Sequence, residues 1–275
     1  MTEHPDLLEL GDRIVARAAP GEQVEAYVAR GETTSVKAYG GEVESLTSAQ
    51  SQGVGIRVVV GGRQGFAHAG TLDDDVIAET LAEARDNASF GEVDDFFGLA
   101  EPDDVPVVDQ DLWSDELVAF PTADKVELAL ALERAVTGRD PRVTGVRTAS
   151  YGDGRGEAAV VTTTGIRAWG RSAVCSLAVS ALAVSGDETK IGSGIDVGRD
   201  PGTLDVEVAA ADAVERATRL FGARKAPSQR LAVVFEPRSP PPWSPSPGAR
   251  SRVSGSSRDG RRSPTGSASR SPHRC

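Results

Sequence analysis

A chain of 275 residues can form one large or two ordinary domains around a substantial apolar core, and its formal net charge of −11 sets its character. Acids outnumber bases nearly two to one up to Pro237 and are scattered between apolar runs, which argues against an extended phosphate-binding surface and for a solvated acidic one. Two cysteines make no disulfide framework, the N-terminus carries no secretory pattern, and no apolar run approaches the roughly 20 residues of a spanning helix, so the expectation is a cytoplasmic protein with neither membrane nor nucleic-acid partner.

In chain order, Leu7, Leu8, Ile14 and Val15 suggest a short amphipathic helix weakened by Gly11 and ended by Pro20-Gly21. Val24, Ala26 and Val28 alternate as a strand, which runs on through Ser35, Lys37 and Tyr39 to a turn at Gly40-Gly41. Val43 opens a further extended segment, and 54–60 has the strongest strand pattern in the chain, with even positions on one face and Arg57 on the other. Gly61-Gly62 closes it, and 64–69 reads as a hairpin partner. Thr71 is the expected N-cap of the next helix, with Asp73, Asp74 and Asp75 at its positive end and Val76, Ile77, Leu81, Ala84 and Ala88 on its apolar face.

Residues 94–111 are acidic, hold two prolines and read as a loop. Thr122 is the expected cap of a helix over 123–136, buried through Val126, Ala129, Leu130 and Val136. Strands are expected at 143–151, 157–164 and 172–185, the last with Cys175, Leu177, Val179 and Ala181 on one face and Val174, Ser176, Ala178 and Ser180 on the other. The polar, glycine-rich stretch 187–201 reads as a loop, 204–221 as a helix capped by Gly222, and 231–235 as one more strand. The fold class is α+β, with mixed or antiparallel curved sheets and packed helices. Its parts are an α+β domain at 1–95, an acidic linker at 96–119 and a second α+β region at 120–237, which either has its own sheet or shares the first.

Residues 238–275 break the pattern, with eleven serines, seven prolines and eight arginines against the single acid Asp259. Such a composition buries too little apolar area to offset ordering entropy, so a disordered basic tail is expected. The genetic code offers a sharper reading. Ser239-Pro240-Pro241-Pro242-Trp243-Ser244-Pro245 can be written TCG CCG CCG CCG TGG TCG CCG. Shifted to a preceding G, that string encodes Val-Ala-Ala-Ala-Val-Val-Ala, an ordinary helix start, which makes the tail a frameshift product.

Chemistry-bearing residues are few. His68 stands alone in an expected strand, His4 lies near a terminus and His273 in the tail, and no His-Glu-x-x-His occurs. A structural role is expected for His68, and a buried small side chain for Cys175, which has no second thiolate nearby. Gly53-Val54-Gly55, Gly61-Gly62 and Gly192-Ser193-Gly194 lack the strand, glycine pattern and helix start of a phosphate loop. The Asp73–Asp75 run fits a helix start better than a calcium loop, and Arg224-Lys225 suits a helix C-terminus. Trp113 and Trp169 either pack or line a groove. No residue is assigned a catalytic, cofactor-binding or metal-ligating role.

Several ordered segments resemble the TldD/PmbA family. Glu42-Val43-Glu44-Ser45, 52–58 and Gly65-Phe66-Ala67 are similar to its N-terminal domain. Tyr151-Gly152-Asp153 with Thr162-Thr163-Thr164-Gly165 is similar to its middle region, while 220–228 and 233–237 resemble its PmbA, or TldE-like, branch. The resemblance covers roughly 24–237, without the family's C-terminal domain. It implies a heterodimeric cytoplasmic metallopeptidase acting on peptides and unfolded small proteins, with zinc held by a His-Glu-x-x-x-His helix in the TldD branch. That helix has no counterpart in this sequence, so the implied role is that of a TldE-like subunit beside a zinc-bearing TldD-like partner. Two other readings stay open: a peptide- or protein-binding scaffold without a peptidase partner, and a hydrolase using Cys175.

Overall fold

The computed structural model describes residues 5–103, 105, 108, 110–225, 227–230 and 232. Residues up to Arg224 form one compact unit and those from Lys225 a second, whose described residues carry no helix or strand. The expected strand at 231–235 and the tail at 238–275 lie outside the described residues, apart from Ala232.

Helix α1 (Pro5–Val15) leads into β1 (Gln23–Tyr39), β2 (Glu42–Val60) and β3 (Arg63–Ala69), then α2 (Asp74–Phe90). After the irregular 91–114 come α3 (Asp115–Ala119), α4 (Thr122–Val136), β4 (Val143–Thr162), β5 (Arg167–Ser185), β6 (Glu188–Gly198), a 3-10 turn at Pro201–Thr203 and α5 (Val206–Thr218). All six strands join one curled antiparallel sheet in the order β3-β2-β1-β4-β5-β6. The β1–β2 and β2–β3 hairpins turn at Gly40-Gly41 (φ +66 and +82) and Gly61-Gly62 (φ +56 and +71), a left-handed backbone that only glycine adopts at no steric cost. The first turn is also held from outside, because the buried Glu133 carboxylate of α4 accepts both the Gly40 and Gly41 N–H, at 2.7 and 2.9 Å.

Where helices cover the sheet, burial alternates along the strands. Val24, Ala26, Val28, Val36 and Ala38 of β1 and every second residue of β5 from Ala173 to Ala183 are buried on the face that carries the helices. Two apolar clusters form on that face. One joins α1 and α2 to one end of the sheet through Leu7, Ile14, Ile77, Val28 and Ile56. The other joins α3, α4 and α5 to the opposite end through Leu117, Leu132, Ala213, Tyr151 and Leu177. Between them β1 and β4 carry charged residues on the same face: Arg30 and Glu32 of β1 opposite Glu157 and Arg155 of β4.

Several expectations need correction. The stretch 187–201 is not a loop but mainly strand β6, and its glycines are there for packing: a side chain at Gly192 or Gly194 would run into the α5 backbone at Ala209, Ala213 and Ala217. Polarity and glycine content hid a strand that lets a helix sit directly on it. The same device sits at the other edge of the sheet, where a side chain at Gly65 of β3 would meet Ala84 and Ala88 of α2. The segments 143–151 and 157–164 belong to one continuous strand, whose three alternate glycines, Gly152, Gly154 and Gly156, had looked like a turn. β5 starts at Arg167, five residues before the expected start.

The helix caps also shift. The N-cap of α2 is Asp73, whose backbone N–H is accepted by the Thr71 hydroxyl at 3.3 Å, and that of α4 is Pro121, with Thr122 already helical. α5 runs over Val206–Thr218 with Asp205 as a side-chain cap to Glu207 and Val208 N–H, and it ends at Arg219, before Gly222. In α1, Gly11 is not a defect: its missing side chain makes room for Val161 of β4.

Candidate functional site

The face of the sheet opposite the helices bears no helix among the described residues, and small side chains line much of it. Neighbouring strands place Gly55 beside Tyr27, Gly53 beside Ala29, Gly31 beside Gly156 and Ala158 beside Gly170. These residues floor a hollow, the open-face groove, of about 730 Å³. A separate cavity of about 890 Å³ lies on the helix-bearing face, where Arg30, Glu32, Arg155, Glu157 and Arg171 project. With no side chains over much of the floor, backbone groups are open to close approach by an extended ligand.

One end of the hollow is aromatic. Phe66 and His68 project from β3 with ring centroids 6.0 Å apart and nearly parallel planes, and Tyr27 of β1 is also half-exposed. His68 is an exposed side chain stacked on Phe66. Gly55 separates this pair from Tyr27 and leaves room for the Phe66 ring, because a β-carbon there would stand 3.2 Å from it.

The cavity on the helix-bearing face is charged. Arg155 donates to Glu32 at 2.7 Å, and that hydrogen bond is the main cause holding the Glu32 carboxyl below its ordinary pKa. Arg30 pairs with Glu157 and, at 2.7 Å, with Asp6 of α1. Arg171 of β5 lies over the Trp113 ring, 4.6 Å from its centroid. Both tryptophan alternatives are thus realised: Trp169 packs against the α1–α2 cluster, and Trp113 packs against the other cluster while lining the charged cavity.

A third polar feature lies under α4. Lys125 and Asp153 form a buried ion pair at 2.6 Å, with the Thr34 hydroxyl 3.4 Å from the lysine. Burial, with the neighbouring Asp153, pushes the fully buried Tyr151 phenol upward, so it stays protonated. Cys175 is also buried, and burial pushes its thiol up to about 11, which keeps it a thiol at neutral pH and unsuited to nucleophilic attack.

The remaining sequence candidates fall into structural places. Gly61-Gly62 is a hairpin turn and Gly192-Ser193-Gly194 a strand under a helix. Asp73 caps α2, and Asp74 lies 3.6 Å from both Arg13 and Arg17. Arg224 and Lys225 are exposed beyond the end of α5, not in its last turn. His68 is the single histidine among the described residues, and no three His, Cys, Asp or Glu side chains among them group in a way that could hold a metal ion. These residues do not fit a zinc site. The groove was missed in the sequence because its floor is written in glycine and alanine from four different strands.

The fold and groove define an α+β protein in which a single antiparallel sheet is covered by helices on one face and open on the other. Comparison gives the family. Residues 24–88 match the PmbA/TldA metallopeptidase domain 1, and residues 115–221 match the PmbA/TldA metallopeptidase central domain. The chain belongs to the PmbA/TldD family. Among solved structures, a protein described as a candidate modulator of a DNA gyrase from Thermotoga maritima is 22% identical with a TM-score of 0.68, over 80% of this chain and 50% of that one. A candidate modulator of DNA gyrase from Bacteroides thetaiotaomicron is 20% identical with a TM-score of 0.71, over 82% and 52%. TldE from Thermococcus kodakarensis is 17% identical with a TM-score of 0.63, over 78% and 46%. The chain thus spans about half the length of these structures, and the likeness is one of fold. No curated protein matches the chain. No helix among the described residues is long and apolar enough to cross a membrane.

Proposed function

We propose that this chain is a TldE-like subunit that holds an extended peptide or unfolded small protein for a TldD-like partner, in whose zinc site the peptide bond is cut, in the cytoplasm. The observation that carries this reading is the glycine- and alanine-floored groove on the open sheet face. An extended peptide needs backbone donors and acceptors along its length and little side-chain obstruction. The floor offers the second, and the part of β2 before Val54, which pairs only with β1, offers the first along its free edge. Family membership supports the choice of a peptide over other extended ligands. The aromatic end formed by Phe66, His68 and Tyr27 suits apolar side chains of such a peptide.

The chain's own residues bind and orient; none of them is assigned a proton transfer or a bond-breaking step. The test is co-expression with a TldD-like chain, followed by purification and assay of zinc-dependent cleavage of an unfolded small protein. Cleavage by the pair that falls at least tenfold when Gly31 and Gly156 are both changed to Val, with the complex still assembled, is the expected result. Cleavage by this chain alone, or undiminished cleavage by the double variant, would sink the proposal.

A second reading is a peptide-binding scaffold that needs no peptidase partner. Peptide binding by the purified chain, without any association with a TldD-like protein, would select it.

A further inference from the structure

The open-face hollow ends in a cup of three rings. β1, β2 and β3 place Tyr27, Gly55 and His68 in one cross-strand row, on the face opposite the helices. Gly55 carries no side chain, so Tyr27 and His68 stand on either side of an empty position, two strand spacings or roughly 9–10 Å apart. Phe66 leans into that gap from the neighbouring row. Its ring edge lies 3.2 Å from the place a Gly55 β-carbon would take, and it stacks on His68 with centroids 6.0 Å apart. The Phe66 row is completed by Arg57 and Glu25, which pair with each other at 2.8 Å and close that side of the cup. On the other side the next row is Gly53 and Ala29, which leaves the cup open towards the glycine- and alanine-floored hollow. Tyr27 and Phe66 are both half-exposed, and adjoining exposed rings are unlike the scattered apolar side chains of an ordinary surface.

Resting on the reading of the hollow as a peptide site, we infer that this cup is a side-chain subsite that takes one aromatic residue of the extended peptide between Tyr27 and His68, over the edge of Phe66. A ring placed midway lies about 5 Å from each wall, inside the roughly 4.5–7 Å separation at which aromatic pairs attract. An aliphatic side chain fills the same space without those ring contacts. A carboxylate is disfavoured, because ring faces carry partial negative charge. A guanidinium is flat enough, but the carboxylate in the adjoining row, Glu25, is already held by Arg57. Gly55 sets the specificity by leaving the gap open, and the cup's open side lets the peptide backbone continue along the hollow.

The test measures binding of unlabelled peptides to the full chain by isothermal titration calorimetry. Four peptides with capped ends share one uncharged host sequence without aromatic residues and differ at a single central position, which is Ala, Leu, Phe or Arg. The Phe peptide is expected to bind roughly 5- to 100-fold tighter than the Leu peptide, as two ring contacts allow. Tyr27→Ala and His68→Ala each remove most of that margin and leave binding of the Ala peptide unchanged, whereas His68→Phe keeps the margin. Equal binding of all four by the native chain overturns the cup and leaves the peptide groove standing. Binding of none overturns both. A Leu peptide as tight as the Phe peptide shows plain apolar filling, and an Arg peptide tighter than both shows a cation site; either overturns the aromatic assignment. A Phe preference that survives in both alanine variants also overturns it, with circular dichroism showing that the variants are folded.

Discussion

A buried charge is the most demanding residue-scale feature of this protein. Lys125 and Asp153 meet at 2.6 Å with about a tenth of each side chain exposed, between the apolar side of α4 and the sheet. Their attraction roughly offsets the desolvation of both, but neither is tolerable alone. Lys125→Ala should therefore cost about 3–5 kcal/mol, read as a lowered urea midpoint. The double change Lys125→Met with Asp153→Leu should recover most of that loss. A double variant no more stable than the single one would show that the pair contributes through geometry that apolar residues cannot replace. The pair was not legible in the sequence, where Lys125 lies within the helix expected over 123–136 and Asp153 between the strands expected at 143–151 and 157–164.

Elements met expectation where a side-chain pattern defines them and departed from it where absent side chains do. The alternation of Val54, Ile56 and Val58 and of Cys175, Leu177 and Val179 placed the strands and their buried faces correctly, because each apolar side chain declares its own face. β6 escaped because Gly192 and Gly194 contribute by taking up no room. That reading is testable. Gly194→Val and Gly65→Val should each destabilise the protein by about 1–3 kcal/mol or more, by lifting α5 or α2 off its edge strand. Gly145→Ala, with nothing within 4 Å of the new carbon, should stay within about 1 kcal/mol of the native protein. Chemical unfolding of the three variants is sufficient, and equal effects at all three would remove close helix approach as the reason for these glycines. The groove was invisible for a related reason: its floor comes from β1, β2, β4 and β5, and only the register of the sheet brings those glycines together.

At the scale of the whole molecule, the two family segments share a single sheet. Residues 24–88 and 115–221 correspond broadly to the two apolar clusters, yet β1 and β4 run through both and the charged band crosses between them. The cluster around α1 takes Ala159 from β4, and Gly11 of α1 lies against Val161 of the same strand. A fragment of residues 1–95 should therefore fail to fold alone, because the inner edge of β1 and one side of α1 would be bare. Circular dichroism and amide exchange on that fragment would decide it: a cooperative thermal transition would show that the first segment is autonomous.

The pairing of β1 with β4 has a consequence in time. Ala26 lies opposite Val161, 135 residues later in the chain, so a nascent polypeptide makes the β1–β2 hairpin long before β4 exists. At about 5–20 residues per second, the inner edge of β1 stays unpartnered for roughly 7–27 seconds of synthesis. For that interval the growing chain presents a long strand edge to its surroundings, and whatever shields nascent chains at the ribosome must act there first.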